Sequence, residues 1–131
     1  AIPCPSFLDL LEKEDTVLIG PSNPVTSIGP ILALPGVRDR LKKKNVVAVS
    51  PLIGNVPVSG PAAKFMAACR VPPDDEGVRK LLGKVDLFVV DRRSSYRGEC
   101  RRMSTLMRTR RESRKVAENL LALIEENTAR V

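Results

Sequence analysis

Three stretches of this sequence carry side chains able to act on an anion or an alcohol. The first is Gly20-Pro21-Ser22-Asn23, just ahead of a helix start. Backbone N–H groups there, with Ser22, Asn23 and Ser27, can hold a phosphate or carboxylate. The same residues are also those a tight turn needs for geometry alone. The second is Ser59-Gly60-Pro61-x-x-Lys64. A lysine in the first turns of a helix opposes the helix dipole, so Lys64 either faces an anion or is a solvated surface lysine. The third is the third apolar run, flanked by Asp86 and Asp91. Asp91 at its carboxyl end is placed to bind Mg²⁺ or a ribose hydroxyl, or simply ends a strand. Beyond it, Arg92–Lys115 can grip phosphates through bidentate arginines, bind nucleic acid nonspecifically, or remain a flexible, solvated basic loop. Cys100, between Glu99 and Arg101-Arg102, is the cysteine placed to be reactive.

Composition narrows this chemistry. The 131 residues contain no histidine, which removes a Ser–His–Asp triad, a histidine base and His-ligated zinc. The three cysteines are scattered and form no C-x-x-C pair, so a reducing, cytoplasmic setting is expected. The net charge is +7, and residues 92–115 hold ten Lys/Arg against two Asp/Glu, so the whole excess sits in one stretch. Only Tyr96 is aromatic within that stretch, and no recognised nucleic-acid motif accompanies it. No apolar run reaches the ~20 residues of a membrane span. The chain begins with Ala1, so a processed product or a piece of a longer chain is expected.

The elements that must position these residues follow from the apolar pattern. Thr16–Ile19, Val46–Val49 and Val85–Val90 are expected strands, their apolar residues Val17–Ile19, Val46–Val49 and Leu87–Val90 forming short runs of the kind buried on both faces of a parallel sheet. Helices are expected over 7–13 with Ser6 as cap, over 27–34 from Ser27, over 37–44 with Asn45 as a C-terminal cap, over 61–68 and over 77–82. Thr109-x-x-Glu112 is a capping box opening a last helix, with Val116, Leu120 and Ile124 on one stripe and Ala117, Leu121 and Leu123 beside it. Residues 92–108 show no periodicity and are expected to be a basic loop. Alternating strands and helices predict an α/β chain, a single or partial domain over 1–131, with a parallel sheet. The Gly20–Pro24 loop, the Ser50–Gly60 loop and Asp91 should then share the carboxyl edge where ligands bind. Three strands are few for such a sheet, so added strands from a partner or from further chain are expected.

Beyond these patterns, Gly20-Pro21-Ser22-Asn23-Pro24-Val25-Thr26-Ser27-Ile28-Gly29-Pro30 resembles the signature of the 2-phospho-L-lactate transferase family of coenzyme F-420 biosynthesis. The likeness continues through Leu34–Arg38, Val47–Gly54, Ser59–Lys64, Asp86–Asp91 and Thr105–Thr109. It implies a Rossmann-like, three-layer α/β fold, of which this chain is the carboxyl-terminal half, a truncated form. It also implies transfer of a phospholactyl or phosphoenolpyruvyl group from a guanylyl-activated donor to a deazaflavin hydroxyl, with Mg²⁺ assisting. By the same resemblance Ser22, Asn23, Ser27, Ser50, Gly60 and Lys64 line the substrate cleft, and GDP and the deazaflavin are the ligands to test. Where the family has T-D-T, this chain reads Met103-Ser104-Thr105, and the arginine-rich 92–102 replaces a longer segment. The family's glycine-rich loop and acidic metal positions belong to its other half. No general base is assigned. A homodimer or a companion chain is the expected means of completing the site. The alternatives are a noncatalytic homologue that binds an anionic ligand or partner, and a basic nucleic-acid module.

Overall fold

The computed structural model describes residues 1–57 and 60–129, which leaves Ser59 outside the described residues. The elements run α1 (Pro5–Lys13), β1 (Thr16–Ile19), a π-helical turn (Pro24–Ile28), α2 (Gly29–Leu32), α3 (Val37–Leu41) and β2 (Asn45–Val49). They continue with a short hairpin, β3 (Leu52–Ile53) and β4 (Val56–Pro57), then α4 (Ala62–Ala68), α5 (Asp75–Leu82), β5 (Leu87–Asp91), β6 (Arg101–Met103) and α6 (Arg110–Ala129).

Four parallel strands pair in the order β1-β2-β5-β6, with Val17 opposite Val46 and Ala48 opposite Phe88. β2 and β5 are central because their runs are apolar on both faces, and every residue of Val46–Val49 and Leu87–Asp91 is buried. Alternation then divides the strands between two layers. Val46, Ala48, Phe88 and Val90 face one side and pack with Leu11, Leu32, Val37, Leu41, Met66, Val78 and Leu82 from α1 to α5. Val47, Val49, Leu87 and Val89 face the other side and meet Val116 and Leu120 of α6. The result is the Rossmann-like, three-layer arrangement.

The fourth strand lies inside the stretch expected to be a basic loop. β6 is strongly basic, so its apolar pattern is silent. It forms because β5 offers a free edge, and Val89 and Asp91 pair with Arg101 and Met103. Tyr96 anchors the connection by meeting Phe88 edge-on, with ring centroids 5.4 Å apart at 85°. Arg101 reaches Glu126 of α6 at 3.1 Å, and Arg102 donates to the Tyr96 carbonyl. Part of the charge is therefore held within the molecule.

Helix starts differ from expectation in three places. α1 is capped at Cys4 without a side-chain bond, because Pro5 stiffens its first turn and carries Ser6 inside the helix. The turn after β1 begins at Asn23, whose side chain outcompetes Ser27 as the cap. α5 begins at Asp75, capped by Asp74, two residues before Gly77. Asn45 is not a helix cap but the first residue of β2, its N–H bonded to the Asp15 carbonyl.

Candidate functional site

A cavity of about 530 Å³ opens at the carboxyl ends of the strands. Its walls come from the loops after β1, β2 and β6 and from the start of α4. Ser22, Asn23 and Ser27 supply one polar wall, Ser50 lies at the end of β2, and Thr105 and Arg108 enter from the β6–α6 connection. Leu52, Ile53, Ala62, Met66, Leu106 and Met107 make the remainder apolar. The cavity thus suits a ligand with an apolar body and a polar, hydrogen-bonding end.

Each polar group is set by local structure. Asn23 Oδ1 accepts from the N–H of Val25 at 2.9 Å and of Thr26 at 3.1 Å. The backbone N–H groups of Ser27 and Ile28 go to the Asn23 carbonyl, and that of Ser22 goes to the Gly20 carbonyl. These amides are satisfied inside the loop. The side-chain groups on this wall that can meet a ligand are the serine hydroxyls and Asn23 Nδ2. Arg108 stands at the rim, 3.1 Å from Glu112. The hydrogen bond from its guanidinium, with that from its N–H, holds the Glu112 carboxyl below the ordinary carboxylate range.

The structure gathers Ser22, Asn23, Ser27 and Ser50 around one cavity. Gly60 and Lys64 do not line it. Their segment contributes Pro61, Ala62 and Met66 instead, and Lys64 is exposed on α4. Asp91 is 1% exposed and also stays out of the cavity. Its Oδ1 accepts from the N–H of Gly54 at 3.0 Å, the N–H of Arg93 at 3.1 Å and Arg93 Nε at 3.2 Å. Burial pushes this carboxyl up, but the amides of Arg93 and Gly54 and the guanidinium outweigh it, so the pKa lies below the ordinary value. The bond to Gly54, which adopts φ +63° in the β3–β4 turn, ties the hairpin carrying Leu52 and Ile53 to the sheet. No group of three or more acidic or cysteine side chains able to hold a metal exists among the described residues. These residues do not fit a Mg²⁺ cage.

Sequence reasoning missed Thr105 and Arg108 as site residues. Both lie in a stretch already matched to a family motif, but their placement depends on the unforeseen β6. It also missed Asp75, which is 2% exposed and binds the Ser50 hydroxyl from α5.

Comparison with known proteins gives the family. The family model described as 2-phospho-L-lactate transferase CofD matches residues 1–129. The chain belongs to that family. It is 48% identical over 130 residues to the 2-phospho-L-lactate transferase of Methanosarcina barkeri, covering 92% of this chain and 42% of the relative. The corresponding protein of Methanosarcina acetivorans is 49% identical over 127 residues, with 90% and 41% covered. That of Methanopyrus kandleri is 42% identical over 134 residues, with 96% and 43% covered. The chain thus spans about two-fifths of the length of these transferases. No helix among the described residues is long and apolar enough to cross a membrane.

Proposed function

We propose that this chain forms the substrate-cleft part of a 2-phospho-L-lactate transferase, in which a deazaflavin alcohol displaces GMP from a guanylyl-activated phospholactate or phosphoenolpyruvate. The observation that carries the reading is the convergence of Ser22, Asn23, Ser27 and Ser50 on one half-apolar cavity. The apolar wall would take the deazaflavin ring. Ser22, Asn23 Nδ2 and Ser27 would hydrogen-bond the phosphate oxygens and hold the phosphorus near the alcohol, which is most of what phosphoryl transfer asks of a protein. In the transfer, the alcohol oxygen bonds to phosphorus, the phosphoanhydride bond to GMP breaks, and the alcohol proton leaves to solvent. Mg²⁺ would neutralise phosphate charge, and its ligands would lie outside the described residues. Three free thiols favour a cytoplasmic setting. The remainder of the transferase would come from further polypeptide, on the same chain or on a companion chain.

The test is a thermal melt of the chain with and without GDP and the deazaflavin. Ligand should raise the midpoint. Ser27→Ala, at an exposed position, should weaken GDP binding about tenfold to a hundredfold, the worth of one charge-assisted hydrogen bond, with an unchanged ligand-free midpoint. No midpoint shift with either ligand would sink the reading. Ser104, where the family has the aspartate of T-D-T, favours a second reading, binding without turnover; GMP release assayed with the activated donor separates the two.

A further inference from the structure

Asp75 joins two strand ends beneath the cavity. It opens α5, and its carboxylate takes two serine hydroxyls: Ser50 Oγ, after β2, on Oδ1, and Ser94 Oγ, after β5, on Oδ2. Each serine oxygen also accepts a backbone N–H, from Leu52 at 3.2 Å and from Tyr96 at 3.1 Å.

The donor count decides what Ser50 can offer. A hydroxyl has one proton and two lone pairs, and a carboxylate only accepts. The proton of Ser50 is committed to Asp75 and one lone pair to Leu52. What remains for the cavity is a single lone pair, so Ser50 can accept from a ligand but cannot donate to it. Thr105 lines the same cavity; it is 3% exposed, and its Oγ1 is buried with no hydrogen-bond partner among the described residues. A buried hydroxyl without a partner leaves its desolvation uncompensated, and Thr105 still has a proton to give.

We infer that Ser50 and Thr105 together seat an alcohol hydroxyl of the ligand, and that Asp75 is the positioning residue that sets the polarity of this seat. The ligand hydroxyl donates to Ser50 Oγ and accepts from Thr105 Oγ1. An ionised phosphate oxygen, which only accepts, meets a lone pair at Ser50 and is disfavoured there. The cavity is thus divided, with an alcohol seat at Ser50 and Thr105 and phosphate-facing donors at Ser22, Asn23 and Ser27. This rests on the transferase reading and assigns its alcohol acceptor to one end of the cavity.

The experiment compares, by calorimetry on this chain, the deazaflavin with its analogue lacking the terminal ribityl hydroxyl, and uses GDP as a separate probe of the phosphate-facing wall. The wild-type chain should bind the alcohol at least tenfold more tightly than the deoxy analogue. Ser50→Ala and Thr105→Val should each bring that ratio close to one while changing GDP affinity less than twofold. Asp75→Asn should lower the ratio in the same way, because an amide can donate to Ser50 and release its proton. A purely structural Asp75 would instead lower both deazaflavin affinities and GDP affinity together, which would overturn its positioning role. A wild-type ratio near one with GDP still bound, or a ratio that survives Ser50→Ala, overturns the alcohol seat and leaves the transferase reading standing. Loss of GDP and deazaflavin binding alike in the wild-type chain removes both. Ser50→Ala and Thr105→Val carry the test if Asp75→Asn does not fold.

Discussion

Asn23 serves two ends at once, and the two can be separated. Its Oδ1 caps the turn through Val25 and Thr26, and its Nδ2 is left to the cavity. Asn and Asp cap equally well, so Asn23→Asp should keep the melting temperature within a degree or two and still weaken GDP binding tenfold or more, by losing a donor and adding negative charge. Asn23→Ala should cost about 1 kcal/mol of stability by urea unfolding in addition. Asp91 belongs to the scaffold. Its carboxyl is depressed in the folded chain, so the stability it supplies is complete above the unfolded value of about 3.9 and is lost as pH falls through the lower folded value. Asp91→Asn should therefore flatten the decline in unfolding free energy below about pH 4. An acid limb as steep as wild type would show that other carboxylates govern it.

At the level of elements, caps and close approaches set how the walls of the cavity meet. Thr109 and Glu112 form the reciprocal box read from the sequence: the Glu112 N–H donates to Thr109 Oγ1 at 3.1 Å, and the Thr109 N–H to Glu112 Oε2 at 3.2 Å. This starts α6 immediately after Arg108 and so fixes the rim. Gly77 in α5 has a different role. A Cβ there would meet the Pro72 carbonyl oxygen at 1.8 Å and Met66 Cε at 3.0 Å. Alanine normally gains about 1 kcal/mol over glycine in a helix interior. Here the backbone clash should reverse that sign, and Gly77→Ala should destabilise by about 1–3 kcal/mol in urea titration. It should also disturb Asp75, two residues earlier, and with it Ser50.

For the whole molecule, the informative asymmetry is between the two faces of the sheet. Five helices contribute to one face, whereas the buried cluster on the other is completed by α6 alone among the described residues. Leu120→Ala should thus cost about 2–5 kcal/mol, while Leu121→Ala, 60% exposed, should stay within about 0.5 kcal/mol. Equal effects in chemical denaturation would mean that α6 does not close this layer. The long-range assembly also marks what was legible beforehand. Val46–Val49 and the valines near residue 90 announced buried parallel strands, because burial on both faces demands an unbroken apolar run. Thr109-x-x-Glu112 announced a helix start, because both partners of a cap lie within one turn. The Gly20–Ser27 stretch pointed to a candidate site through its likeness to the family signature, whose residue types and order are specific. Those signals are local, and the sequence by itself determined them. β6 could not be read, because Arg101–Met103 is a strand only by pairing with β5. Thr105 and Asp75 could not be read either, since their roles depend on residues brought together from 19 to 25 positions away or from across the cavity. Those partnerships exist only once the sheet has closed, so the tertiary structure alone decided them.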